Sequence, residues 1–105
     1  MIAQVDIGAR AEEIRNFVAG GELGVAIKKG MDFVRDFADA ADQDECVLLS
    51  FDFKLVDGEM RQEKLSTKAS LAERRRLAGN LLKLVRKILD EKILDEALSL
   101  ETVRG

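Results

Sequence analysis

Two clusters of charged side chains set out the chemistry this chain can offer. Arg74, Arg75 and Arg76, followed by Lys83, Arg86 and Lys87, crowd six cations into one stretch, and Asp32, Asp36, Asp39, Asp42, Asp44 and Glu45 form an acidic stretch upstream. Asp32, Asp36 and Asp39 stand at i, i+4 and i+7, so a helix through them carries all three on one strip. Guanidinium and ammonium groups bind carboxylates and phosphates through charge-assisted hydrogen bonds. The chemistry on offer is recognition of an opposite charge.

Bond-making chemistry lacks its usual groups. Without a single histidine, the commonest general base and the commonest transition-metal ligand are both missing. Cys46 is the one thiol, and it follows Asp44 and Glu45, whose negative charge suppresses the reactive thiolate. It reads as a packing residue. The glycines match neither GxxxxGK[ST] nor GxGxxG, so no phosphate cradle is indicated, and the many carboxylates are most simply solvated helix faces. The expectation is a protein that is not an enzyme and uses no cofactor or metal.

The elements that must position these charges are helices. A chain of 105 residues, 47% hydrophobic and 35% charged, has the make-up of one folded domain spanning residues 1–105. It contains no proline, and most of its glycines precede residue 31, so few obligatory stops interrupt a long helix. All its aromatic residues are Phe, which leaves Leu, Val, Ile, Ala and Met to fill the core. One cysteine fits a reducing cytoplasm, and no run approaches the ~20 apolar residues of a membrane span. Neither export nor membrane embedding is expected.

The longest uninterrupted helical pattern is Ser70 to Leu89. Leu71, Ala78, Leu81, Val85 and Ile88 follow one face, widened by Leu77, Leu82, Leu84 and Leu89, and the cations occupy the other. Ser70-Leu71-Ala72-Glu73 matches a capping box, with Ser66 or Thr67 as a cap one turn earlier. Ahead of this helix, residues 1–8 read as a frayed lead-in. A short helix from Ala9 carries Ile14, Phe17 and Val18 and stops at Gly20-Gly21. The next, Glu22 to about Ala41, aligns Leu23, Ile27, Val34, Phe37 and Ala41. Gly24 and Gly30 lie inside it at a cost of about 1 kcal/mol each relative to Ala, which points to close packing there.

Cys46 to Val56, CVLLSFDFKLV, supports two readings. Leu49, Phe51, Phe53 and Leu55 alternate with polar residues as in a strand, with Asp57-Gly58 as a hairpin turn. Leu49, Phe53, Val56 and Met60 also fit i, i+4, i+7, i+11 of a helix. The sequel EMRQEK favours helix and has no strand alternation, so a third helix from about Asp44 to Leu65 is the expectation. Residues 90–105 keep Ile93, Leu94, Ala97, Leu98 and Leu100 at helical spacing, as a helical extension or a linker. Gly105 has the look of the edge of an excised piece.

Charge is distributed by block. Residues 1–60 carry net −7, residues 61–89 net +7 and residues 90–105 net −3. Three readings of the basic face compete. The bland one is a solvated helix exterior. A nucleic-acid interface is disfavoured, because the chain is acidic overall and has no Trp or Tyr to stack on bases. Protein association remains: an acidic strip and a basic helix on one small domain can dock head to tail. Each exposed pair contributes about 0–1 kcal/mol, so several together set register rather than strength.

The order of segments is familiar. An FVAGGELGVAI entry, an acidic stretch, ECVLLSFDFKLVDGEMRQEKLS and then LAERRRLAGNLLKLVRKIL resemble the bacterial effector-associated domains of the death-like superfamily. The matching positions are Gly20 to Leu23, Leu48-Leu49-Ser50, Leu65-Ser66, Glu73-Arg74, Arg76-Leu77, Leu81-Leu82 and Leu84-Val85. The family often has a glycine where this chain has Lys64 and an asparagine where it has Arg75. The resemblance implies an all-α, death-like antiparallel bundle of about four main helices plus a C-terminal helical extension. It also implies a homotypic adaptor that recruits or clusters effector modules in a bacterial defence or programmed-death system. Its partner would be another death-like domain, the same chain included as a homo-oligomer. A basic-face nucleic-acid binder, or a plain dimerisation module pairing through Leu94, Leu98 and Leu100, is the alternative.

Overall fold

The computed structural model describes the backbone of residues 2–63 and 66–104, and the side chains of residues 7–63 and 66–95. Four helices follow one another: α1 (Ile2–Ala19), α2 (Leu23–Phe37), α3 (Ala40–Arg61) and α4 (Thr67–Arg104). Among the described residues there is no strand. CVLLSFDFKLV lies within α3, where Leu49 and Val56 are buried and Phe53 packs beside them. The helical period wins because it gathers these three on one side.

Ion pairs and close approaches give the helix directions. Arg10–Asp36 and Glu13–Lys29 run α1 against α2. A Cβ on Gly24 would meet Phe53, and one on Gly30 would approach Cys46, which runs α2 against α3. Asp57–Arg74 and Asp42–Lys87 run α3 against α4. Consecutive helices are therefore antiparallel, as their short connections demand. α4 also touches α1 and α2, whereas among the described residues α1 and α3 make no contact. At 1.5 Å per residue α4 is about 57 Å long, close to the 61 Å long dimension of the molecule. Residues 90–104 continue α4 as one helix.

The ends of the helices show why each boundary falls where it does. α1 starts at Ile2, ahead of the expected Ala9, because Ile7 and Ala11 join Ile14 on the buried stripe. It closes in a Schellman motif: Gly21 takes φ +79°, its N–H donates to Val18 O, and Glu22 N–H donates to Phe17 O. α3 starts at Ala40, earlier than expected, with Asp39 as its N-cap accepting from Asp42 N–H at 3.0 Å. It ends at Arg61, and Glu63 adopts φ +60°. The Ser70 capping box does not form. Ser66 caps α4, its Oγ accepting from Ala69 N–H at 3.1 Å, while Ser70 is buried and its hydroxyl donates to Met60 Sδ.

The core is aliphatic around one aromatic. Phe33, Ile14, Leu77, Leu81, Ile88 and Val34 are its largest fully buried side chains, and Phe37 packs against Phe33 with ring centroids 5.3 Å apart. Of the expected α4 face, Leu71 is 60% exposed, while Leu77, Leu81, Leu84, Val85 and Ile88 are buried. Gly30 explains its own presence inside α2. A Cβ there would come within 2.8 Å of Leu81 Cδ1, so a larger residue would force the buried Leu81 side chain to shift.

Candidate interaction surface

The charged clusters that stand apart in the sequence are interlocked in space. Lys87 reaches from α4 to Asp42 at 3.1 Å, and Asp42 is only 5% exposed. Arg74 lies between α3 and α4. It pairs with Asp57 at 3.0 Å, sits 5.4 Å over the Phe53 ring and donates from Nε to Ser70 Oγ at 3.4 Å. These two cations are struts that tie α4 to α3 at either end of their contact. Arg76 is held by its neighbour Glu73 at 2.9 Å. Arg75, Lys83 and Arg86 are exposed and form no ion pair among the described residues.

The acidic side is similarly engaged. Asp32 pairs with Arg35 at 3.2 Å, and Asp36 binds Arg10 at 2.6 Å and Arg35 at 3.6 Å. Asp39 caps α3, and Asp42 is buried under Lys87. Asp44 and Glu45 are exposed, without an ion pair among the described residues. Two free walls of opposite sign, as expected from the sequence blocks, are therefore not what the surface presents. The pairing also sets the titration of its members. The Arg10 guanidinium holds the Asp36 carboxyl below its ordinary value, and the Asp42 carboxylate holds the Lys87 ammonium above its own.

Cys46 faces the core at 1% exposure, and its thiol is pushed up to about 11, first by burial and then by the charge of Glu45. It is a packing residue with no thiolate at neutral pH. Among the described residues no group of His, Cys, Asp or Glu is arranged to hold a metal ion, and no helix is long and apolar enough to cross a membrane.

The surface that stays unsatisfied is the outer side of α3. Val47, Leu48, Phe51 and Leu55 are 51%, 62%, 58% and 49% exposed, side by side on one helix. Met31 of α2 lies beside Val47 and is also exposed. Lys54 and Arg61 border the stripe on one flank, and Glu45, Asp52 and Glu59 on the other. The sequence hint was the strand-like alternation itself: α3 is apolar on two sides, the inner one for the core and the outer one exposed. Ile93 and Leu94 are exposed on α4, and Leu98 and Leu100 lie outside the described side chains.

No protein-family model, curated protein or solved structure matches the chain. Fold and surface together define an all-helical domain of four helices with an exposed apolar stripe on its third.

Proposed function

We propose that this domain is a homotypic protein-interaction adaptor, which recruits or clusters effector modules by docking to another death-like domain in the cytoplasm. The observation that carries this reading is the exposed stripe of Leu48, Phe51 and Leu55 on α3. Aromatic and aliphatic anchors left in water, bordered by charge, have the anatomy of a protein contact: an apolar centre with a polar rim. The setting in bacterial defence or programmed death rests on the resemblance of the helix order and motifs to effector-associated domains. The domain itself supplies attachment; an effector joined to it or recruited by it supplies the chemistry.

The test is direct binding by titration calorimetry between the purified chain and death-like domains encoded by neighbouring genes, the chain itself included. Binding that is lost in Phe51→Glu supports the reading. If no such domain binds at concentrations up to about 100 μM, a range that would detect even weak signalling contacts, the adaptor role is wrong.

A further inference from the structure

The charges around the α3 stripe specify more than a contact: they specify the partner and its direction. Asp44, Leu48, Phe51, Leu55, Gly58 and Gln62 are separated by alternating steps of four and three residues, the spacing of a seam along which two helices pair. Leu48, Phe51 and Leu55 form the apolar middle of that seam. Val47, Lys54 and Arg61 recur every seven residues on one edge, and Glu45, Asp52 and Glu59 recur every seven on the other.

The two edges are complementary to each other and repulsive to themselves. Arg61 is engaged with its own Asp57 at 3.1 Å, whereas Lys54 and Glu59 form no ion pair among the described residues. In a parallel pair, the edge residue before each seam position faces the opposite edge of the neighbouring helix. Lys54 then lies beside Glu59 of the partner subunit, and the two-fold axis repeats this pair. An antiparallel pair would instead face cation edge against cation edge and carboxylate edge against carboxylate edge.

We propose that the outer face of α3 pairs two copies of this chain as parallel helices, with Lys54 of each beside the partner's Glu59. This rests on the reading of that face as a docking surface and adds who docks and in which direction. The seam spans about 27 Å at 1.5 Å per residue with three large apolar residues at its centre. The contact is small, so the dimer forms in the micromolar range, about 1–100 μM. Because α4 runs antiparallel to α3 in each copy, both α4 C-terminal ends leave on the same side.

Sedimentation equilibrium of the full chain, from about 1 to 500 μM so as to bracket that affinity, provides the test. Lys54→Glu and Glu59→Lys should each weaken the dimer about tenfold, since the pair occurs twice. The double variant, and an equimolar mixture of the two single variants, should recover to within about threefold of the unaltered chain, because each restores opposite charges across the seam. Under mild oxidation Leu48→Cys should cross-link to its own copy, which a parallel register allows and an antiparallel one centred on Phe51 forbids. Far-UV circular dichroism checks that the variants fold. A double variant weaker than either single, or no Leu48→Cys cross-link in a chain that dimerises, overturns the parallel pairing. A chain monomeric throughout the range overturns self-association, while Phe51-dependent binding of another death-like domain would still uphold the adaptor role.

Discussion

α3 and α4 each turn one side to water, and the two sides are opposite in kind. The outer side of α4 is rich in cations, and the outer side of α3 is apolar with charged borders. From composition alone α4 looks like the interaction element. Yet its most prominent cations are spent inside the domain: Arg74 on Asp57 and Phe53, Lys87 on Asp42, Arg76 on Glu73. A charge can find a counter-charge within its own fold or be hydrated by water, so a run of like charges predicts little about partners. Exposed Leu48, Phe51 and Leu55 have neither remedy, and only another surface can cover them.

The largest effect that can break this contrast is on association. Phe51→Glu should raise the dissociation constant of any α3-mediated complex at least about 100-fold, as expected for a charge placed on a central aromatic anchor. The combined variant Arg75→Glu, Lys83→Glu, Arg86→Glu should change it less than about threefold, because rim and remote charges mainly alter rates. Analytical ultracentrifugation of both variants decides. The reverse outcome would return the interface to α4.

On the inner side of α3, the buried thiol gives a pH-dependent effect. Cys46 titrates near 9.0 when unfolded and at about 11 when folded. Its folded value is raised, so the contribution is intact below pH 9 and is lost as pH climbs towards 11, when the unfolded chain sheds a proton that the folded one keeps. The shift corresponds to about 2–3 kcal/mol. Urea unfolding at pH 8, 9.5 and 11 should show that loss in the unaltered chain and a flatter profile in Cys46→Ala. Lys87, held above its ordinary value by Asp42, adds to the loss above pH 10.5 that both chains share. A profile with no Cys46-dependent slope would mean that the thiol is not held against solvent as the structure shows.

The contrast between strut and surface within the arginine triplet is next in size. Arg74 is about one-third exposed and bound to Asp57, so Arg74→Ala should cost about 1–2 kcal/mol through lost packing and pairing. For a domain of this size that is a melting-temperature fall of roughly 4–12 °C. Arg75→Ala should stay within about 0.5 kcal/mol. Equal effects at both positions would deny Arg74 its inward role. For the same reason, reversing all three arginines to Glu would place a carboxylate against Asp57 and disturb the fold together with any docking.

Local rules read from the sequence located most of the fold. The all-helical class, the Gly20-Gly21 stop and the close packing at Gly30 follow from periodicity, capping and the absence of proline. What escaped depends on how helices rotate against one another. Phe33 follows Ala26 and Gly30 at i+7 and i+3 on the buried face of α2, but spacing alone does not show that this flank is as fully covered as the line of Leu23, Ile27 and Val34. Arg74 and Lys87 meet acids 17 and 45 residues away, beyond the reach of any pattern along one helix. The start of α1 is faint because residues 1–7 show no clear apolar period and Gly8 lowers helix propensity. The outer stripe of α3 shows in the sequence as alternation, because apolar residues on two sides of a helix imitate a strand; the helical sequel EMRQEK decides for helix but does not say which side stays exposed.

The smallest expected effect separates folding from pairing most cleanly. Gly58 on α3 and Gly79 on α4 are both helical, and a Cβ built on either meets nothing within 4 Å. Gly→Ala at each should therefore raise stability by about 0.5–1 kcal/mol through helix propensity alone. The two sites differ in what faces them. Gly58 continues the seam of Leu48, Phe51 and Leu55, whereas Gly79 lies on α4, away from it. A longer apolar side chain at Gly58 would extend the seam by one position, so Gly58→Leu should stabilise the fold and also tighten the dimer, while Gly79→Leu should leave the dimer unchanged. Thermal melts at low concentration, where the chain is monomeric, read the first effect, and sedimentation equilibrium reads the second. If both variants tightened the dimer equally, the gain would come from helix stability in general, and the outer face of α3 would lose its distinction from that of α4.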